Sequence, residues 1–169
     1  LDTLIEFANY LADEAGKIST KYFRNQIDIE TKSGEYPVTI ADREVELHLR
    51  SLIRTHYPEH RIIGEEFANQ DGSSEYTWVI DPIDGTVAFS TGKPTYTTLI
   101  ALLENDLPRY GIIDQPVSSE RFSGKAGEKA YLNEKVISTA EQAIINKARL
   151  NATTPYMFTM DYERTKFEL

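Results

Sequence analysis

The order in which hydrophobic patterns succeed one another constrains this chain more than any single residue does. Over residues 2 to 24, Leu4, Ile5, Ala8, Leu11, Ala12, Ala15, Ile18 and Tyr22 recur at the spacing of one helix face, and Asp2 stands where a cap belongs. A second helical pattern runs from 39 to 56, with Val45, Leu49, Leu52 and Ile53 on its inner side. From residue 76 the period drops toward two, and strands are predicted at 76–81, 97–104, 109–114, 119–124, 129–132 and 147–152. Asn105-Asp106, Gln115-Pro116, Gly124 to Gly127 and Asn133-Glu134 mark the turns. Shorter strands are expected at 27–31 and 61–64, with polar loops at 32–37 and 68–75, and residues 154–169 read as a loop entering a helix. Helices first and a meander afterwards predict an α+β fold in which a helix pair packs on one large antiparallel sheet.

Composition narrows the function classes. The 169 residues are enough to bury a core, and no stretch approaches 18 uninterrupted apolar residues, so no membrane span is expected. The opening Leu1-Asp2-Thr3-Leu4 lacks the basic-then-apolar signature of a secretory leader. The absence of cysteine excludes disulfides, thiolate catalysis and cysteine-based zinc sites, and agrees with a cytoplasmic location. A net charge of −9, from 27 acidic and 18 basic residues, argues against nucleic acid as a partner. An anionic substrate would need locally focused Lys and Arg, or metal ions that reverse the sign of the site.

The acidic residues are placed to hold such ions. Trp78-Val79-Ile80 reads as a buried strand, which puts Asp81 and Asp84 where that strand leaves the core. Carboxylates at such an edge need a cation or hydrogen-bond donors to offset desolvation. Glu65-Glu66 follows the strand Arg61-Ile62-Ile63-Gly64, and Asp42 adjoins Val38-Thr39-Ile40-Ala41. Each feature has an ordinary reading alone: Asp-Pro and Asp-Gly as turns, Glu65-Glu66 as a solvated pair, Asp42 as a helix-dipole partner. Together they form an oxygen-only donor set, which suits Mg²⁺ better than zinc. Pro82 stiffens the turn between the two aspartates, and Gly85 permits close backbone approach. If a helical turn begins there, the amides of Gly85 and Thr86 form an anion site for phosphate. The histidines His48, His56 and His60 receive no role, and Trp78 is assigned to the core.

These pieces occur in a familiar order. Val38-Thr39-x-Ala41-Asp42-x-x-x-Glu46, then Gly64-Glu65-Glu66, then Trp78 to Thr86 with Phe89, resembles the inositol monophosphatase family of Mg²⁺-dependent, lithium-sensitive phosphatases. The resemblance implies the layered inositol-monophosphatase/fructose-bisphosphatase-like sandwich, with residues 1–169 forming its N-terminal metal- and phosphate-binding part and its C-terminal α/β part missing. It also implies that Glu65, Asp81, Asp84 and the Ile83 carbonyl hold two or three Mg²⁺ ions. Asp84, Gly85 and Thr86 would contact the substrate, Thr86 and Glu65 would orient the attacking water, and Asp42 would support that water or a third metal. Lys32 matches the family's loop lysine, and Glu66 is the less certain member of its pair. The family's later Trp-Asp or Tyr-Asp motif, which completes the second metal site, does not occur, so a chain ending at Leu169 is expected to be a fragment with little activity. Gly92-x-Pro94, Gly111 to Pro116, Glu120-Arg121-Phe122 and Ala152 to Phe158 look like the histidinol-phosphate phosphatases of this family. The implied substrate is a small phosphomonoester, histidinol phosphate ahead of inositol monophosphate or a sugar or nucleotide bisphosphate, hydrolysed by a homodimer. A binding remnant without catalysis is the non-enzymatic alternative.

Overall fold

Two helices cover one face of a seven-stranded sheet, and the end of that sheet carries the acidic residues. The structure, a computed structural model, describes residues 1–25, 29–31, 37–141 and 144–149, with only the backbone of 29–31 and 37–39. Lys32, the expected helix at 154–169 and the end of the strand expected at 147–152 lie outside the described residues. The chain divides into two units, Leu1–Ser138 and Thr139–Leu169. In the second, the described residues form a single 3-10 turn at Ile145–Lys147, and Ala148 and Arg149 are not in a strand, contrary to expectation.

Helix α1 (Asp2–Tyr22) buries Leu4, Ala8, Leu11, Ala12 and Ala15 of the stripe that the periodicity predicts, together with Phe7, which it did not include, while Ile5, Ile18 and Tyr22 are half-buried. A two-stranded ribbon, β1 (Ile29–Thr31) and β2 (Pro37–Thr39), leads into helix α2 (Ile40–His56). On α2 two rows run side by side at four-residue spacing. Ala41, Val45, Leu49 and Ile53 form a fully buried apolar row, and Asp42, Glu46 and Arg50 form a buried charged one. The main sheet then follows in the order β3 (Arg61–Gly64), β4 (Tyr76–Asp84), β5 (Thr97–Glu104), β6 (Leu107–Gln115), β7 (Glu120–Lys125), β8 (Ala130–Leu132) and β9 (Lys135–Ile137). From β4 onward it is an antiparallel meander, as predicted, whereas β3 joins β4 in parallel. The intervening residues 65–75 carry the chain back along the sheet, which a tight hairpin could not do.

Trp78, Ile80, Ile100, Leu102, Tyr110 and Ile112 meet the helices and make the main core. Trp78 donates its indole N–H to His60 Nδ1 at 3.0 Å, so His60 is a buried acceptor and not a surface group. A smaller core of Ala41, Ile83, Phe89 and Tyr96 sits under the end of β4. The opposite face of the sheet carries Ile63, Val79, Leu99, Ala101, Ile113 and Phe122 along an apolar groove of about 800 Å³. No helix among the described residues is long and apolar enough to cross a membrane.

Candidate active site

Strand β4 runs on past the predicted end at Asp81 to Asp84, and its pairing with β5 slips there: Asp81 faces Leu99 while Asp84 faces Thr97. Such a bulge inserts an extra residue, bends the strand and re-aims its side chains. The distortion is held from both sides. The Thr98 hydroxyl donates to the Pro82 carbonyl at 2.8 Å, and the Ile83 side chain is buried against the smaller core. Asp84 emerges into solvent, where Thr97 donates to its Oδ2 at 3.4 Å.

Gly85 follows with φ 88° and ψ 42°, the left-handed conformation that a residue without Cβ adopts at least cost, and serves as N-cap of the short helix α3 (Thr86–Ser90). The Thr86 hydroxyl lies 3.3 Å from Asp42 Oδ1 and 3.2 Å from the Ile83 carbonyl oxygen, both acceptors for its one proton. Asp42 reaches this point from the first turn of α2 and is only 2% exposed. Glu65 stands just beyond the end of β3, exposed, beside Asp81.

Asp81 is the group most in need of a partner. Its Oδ1 is buried without a hydrogen bond among the described residues. Burial first, then a shared hydrogen bond with Glu65 and the negative charges of Glu65, Asp84 and Asp42, push its carboxyl up to about 8. Asp42, Glu65 and Asp84, all named from the sequence, therefore bear on Asp81 from α2, the exit of β3 and β4. Among the described residues no three of them already stand close enough to clasp an ion. Glu65 and Asp84 are the two exposed members of the set, and Asp42 is buried. An all-oxygen donor set with one orphaned buried oxygen fits a hard divalent cation. Lys32 lies outside the described residues.

The sequence model of the inositol monophosphatase family matches residues 1–166. The chain belongs to the inositol monophosphatase family. It is 43% identical over 166 residues to the Arabidopsis thaliana bifunctional phosphatase IMPL2, chloroplastic, an alignment covering 97% of this chain and 48% of the relative. It is 35% identical over 130 residues to a histidinol-phosphatase of Chlorobaculum parvum, covering 76% of this chain and 50% of that protein. Among solved structures, an inositol monophosphatase from Zymomonas mobilis superposes with a TM-score of 0.82 at 36% identity, covering 99% of this chain and 64% of that one. The chain thus spans about half the length of these curated relatives, and its fold is the family's α+β layering.

Sequence reasoning passed over Arg50 and gave Glu46 no role. Both are buried, at 4% and 0% exposure. The signal was present in the four-residue spacing Asp42, Glu46, Arg50, which lies one residue along from the apolar row and so turns toward the core rather than solvent.

Proposed function

We propose that the protein is a Mg²⁺-dependent phosphomonoesterase acting on a small phosphorylated molecule, with histidinol phosphate the preferred substrate. The observation that carries this reading is Asp81: a buried, unpartnered carboxylate oxygen amid three further carboxylates is a site that a divalent cation completes. Asp81, Asp84, Glu65 and the Ile83 carbonyl would hold the metal. Bound there, Mg²⁺ supplies Lewis-acid activation of water and neutralises charge on the phosphate. The amides of Gly85 and Thr86 would take phosphate oxygens. Because the Thr86 proton is committed to Asp42 or the Ile83 carbonyl, the hydroxyl oxygen can accept a hydrogen bond from the attacking water. Glu65 would hold that water from the other side, so the protein's work is positioning and charge complementarity.

The histidinol phosphate preference rests on the relative from Chlorobaculum parvum, named a histidinol-phosphatase. Inositol monophosphate is the second reading, favoured by a Solanum lycopersicum relative named inositol monophosphatase 1, at 32% identity over 154 residues. Phosphate release from the two esters, with and without Mg²⁺, tests both. We expect faster release from histidinol phosphate, dependence on Mg²⁺, and a loss of at least about hundredfold in Asp84→Asn. Unchanged turnover in Asp84→Asn would make the metal assignment wrong; a preference for inositol monophosphate would replace the substrate and leave the chemistry.

A further inference from the structure

We infer that Glu46, backed by Arg50, is a positioning residue that fixes Glu65 for metal binding. The inference rests on the reading of Glu65 as a metal ligand. Glu46 lies one helical turn beyond Asp42 on α2, and its carboxylate is wholly enclosed. Its Oε2 accepts the backbone N–H of Glu65 at 3.1 Å and of Glu66 at 2.7 Å. Its Oε1 accepts the N–H of Phe67 at 3.2 Å and Nε of Arg50 at 2.7 Å. Arg50 then donates Nη2 to the Phe67 carbonyl at 3.0 Å.

Three consecutive amides turned onto one anion dictate the backbone path of the residues that carry them, and the first of the three is Glu65. An ion pair that merely fastened α2 to the sheet would need no such contact with main-chain groups. The approach also depends on Gly64. A Cβ there would lie 2.5 Å from Cδ of Glu46 and 2.7 Å from Nη2 of Arg50, closer than packed atoms stand. Gly64-Glu65-Glu66-Phe67 and Glu46-x-x-x-Arg50 therefore form a single device. With Asp42 receiving Thr86 at 3.3 Å, the charged row of α2 sets both sides of the site: Thr86 through Asp42, Glu65 through Glu46. Glu46 itself spends its oxygens on four donors and does not touch the reacting groups.

Glu46→Gln keeps the shape of the side chain but turns an NH₂ toward backbone donors, and Arg50→Lys removes the second bond to Phe67. Three readouts apply to the purified protein: Mn²⁺ titration followed by electron paramagnetic resonance, amide hydrogen exchange at residues 65–67, and thermal midpoint. We expect both variants to bind Mn²⁺ 10- to 100-fold more weakly, with faster exchange at Glu65 and Glu66. Adding Glu65→Gln to Glu46→Gln should cost less than Glu65→Gln does alone, because the two act through one ligand. Ile53→Val, elsewhere on α2, should lower the thermal midpoint and leave Mn²⁺ affinity alone. Wild-type Mn²⁺ affinity in a destabilised Glu46→Gln protein would overturn the inference, as would full additivity or the failure of both variants to fold. A wild-type protein that binds no Mn²⁺, or a Glu65→Gln protein that binds it normally, would instead bring down the metal reading itself.

Discussion

Two carboxylates near the same end of the sheet are kept in opposite conditions. Glu46 is surrounded by four donors, whereas Asp81 has a buried oxygen with none among the described residues and is pushed up to about 8. The first arrangement offsets the cost of burying charge within the protein, and the second leaves that cost without an offsetting donor at Oδ1 among the described residues. Gly85 connects Asp84 to helix α3 by adopting φ 88°, where a Cβ would find ordinary contacts with Thr95 and Tyr96 at 3.6 Å but an unfavourable backbone. Gly85→Ala is therefore expected to cost about 1–2 kcal/mol through the left-handed backbone and not through a clash. A denaturant titration showing no loss of stability would mean that the turn relaxes to negative φ.

At the scale of elements, α2 does the work of both core and site. Leu49, fully buried in the main core, belongs to its apolar row, and Leu49→Ala should cost about 2–5 kcal/mol by leaving a cavity. A shift in urea midpoint at constant slope would register that loss; a shift below about 1 kcal/mol would mean that the helices close the gap. Helices α1 and α2 and strands β4, β5 and β6 were legible in the sequence because each buries one face, and one-sided burial imposes its period on the residues; β7 and β8, which have no fully buried residue, were marked by the turns that bound them. The parallel entry of β3 was not, since four residues with burial on one side look alike in either direction. Nor was β9, whose Lys135 and Val136 are exposed and carry no alternation. The extension of β4 through Pro82 was hidden because proline reads as a stop, yet a bulge accommodates it. For the candidate site, residue types and order showed where acidic groups leave the core. They could not show the hydrogen bonds of Glu46, which depend on how α2 lies over the end of β3.

For the unit Leu1–Ser138 as a whole, stability carries a pH dependence that originates far from the acidic site. His60 is 8% exposed, stacked on Tyr57 at 4.8 Å between ring centroids, and accepts the Trp78 indole N–H at Nδ1. Burial holds its imidazole below the ordinary range, with the nearby charge of Glu75 opposing the shift. The folded protein therefore takes up this proton at lower pH than the unfolded chain does. Above an unfolded value of about 6.5, His60 is neutral in both states and its contribution is fully present. As pH falls through that value the unfolded chain binds the proton first, and stability drops by up to about 1.4 kcal/mol per pH unit until the folded value is reached. His60→Gln retains an acceptor for Trp78 but cannot titrate. Unfolding free energies measured between pH 5 and 7 should fall less steeply with acid in His60→Gln than in wild type, by up to one proton's worth of slope. The contribution from Asp81 cancels in that difference because both proteins carry it. Trp78 is the only tryptophan and touches the group in question, so its fluorescence reports the transition at the site of the cause. Equal slopes in the two proteins would mean that His60 charges as readily in the fold as out of it, and that the Trp78 contact yields to solvent.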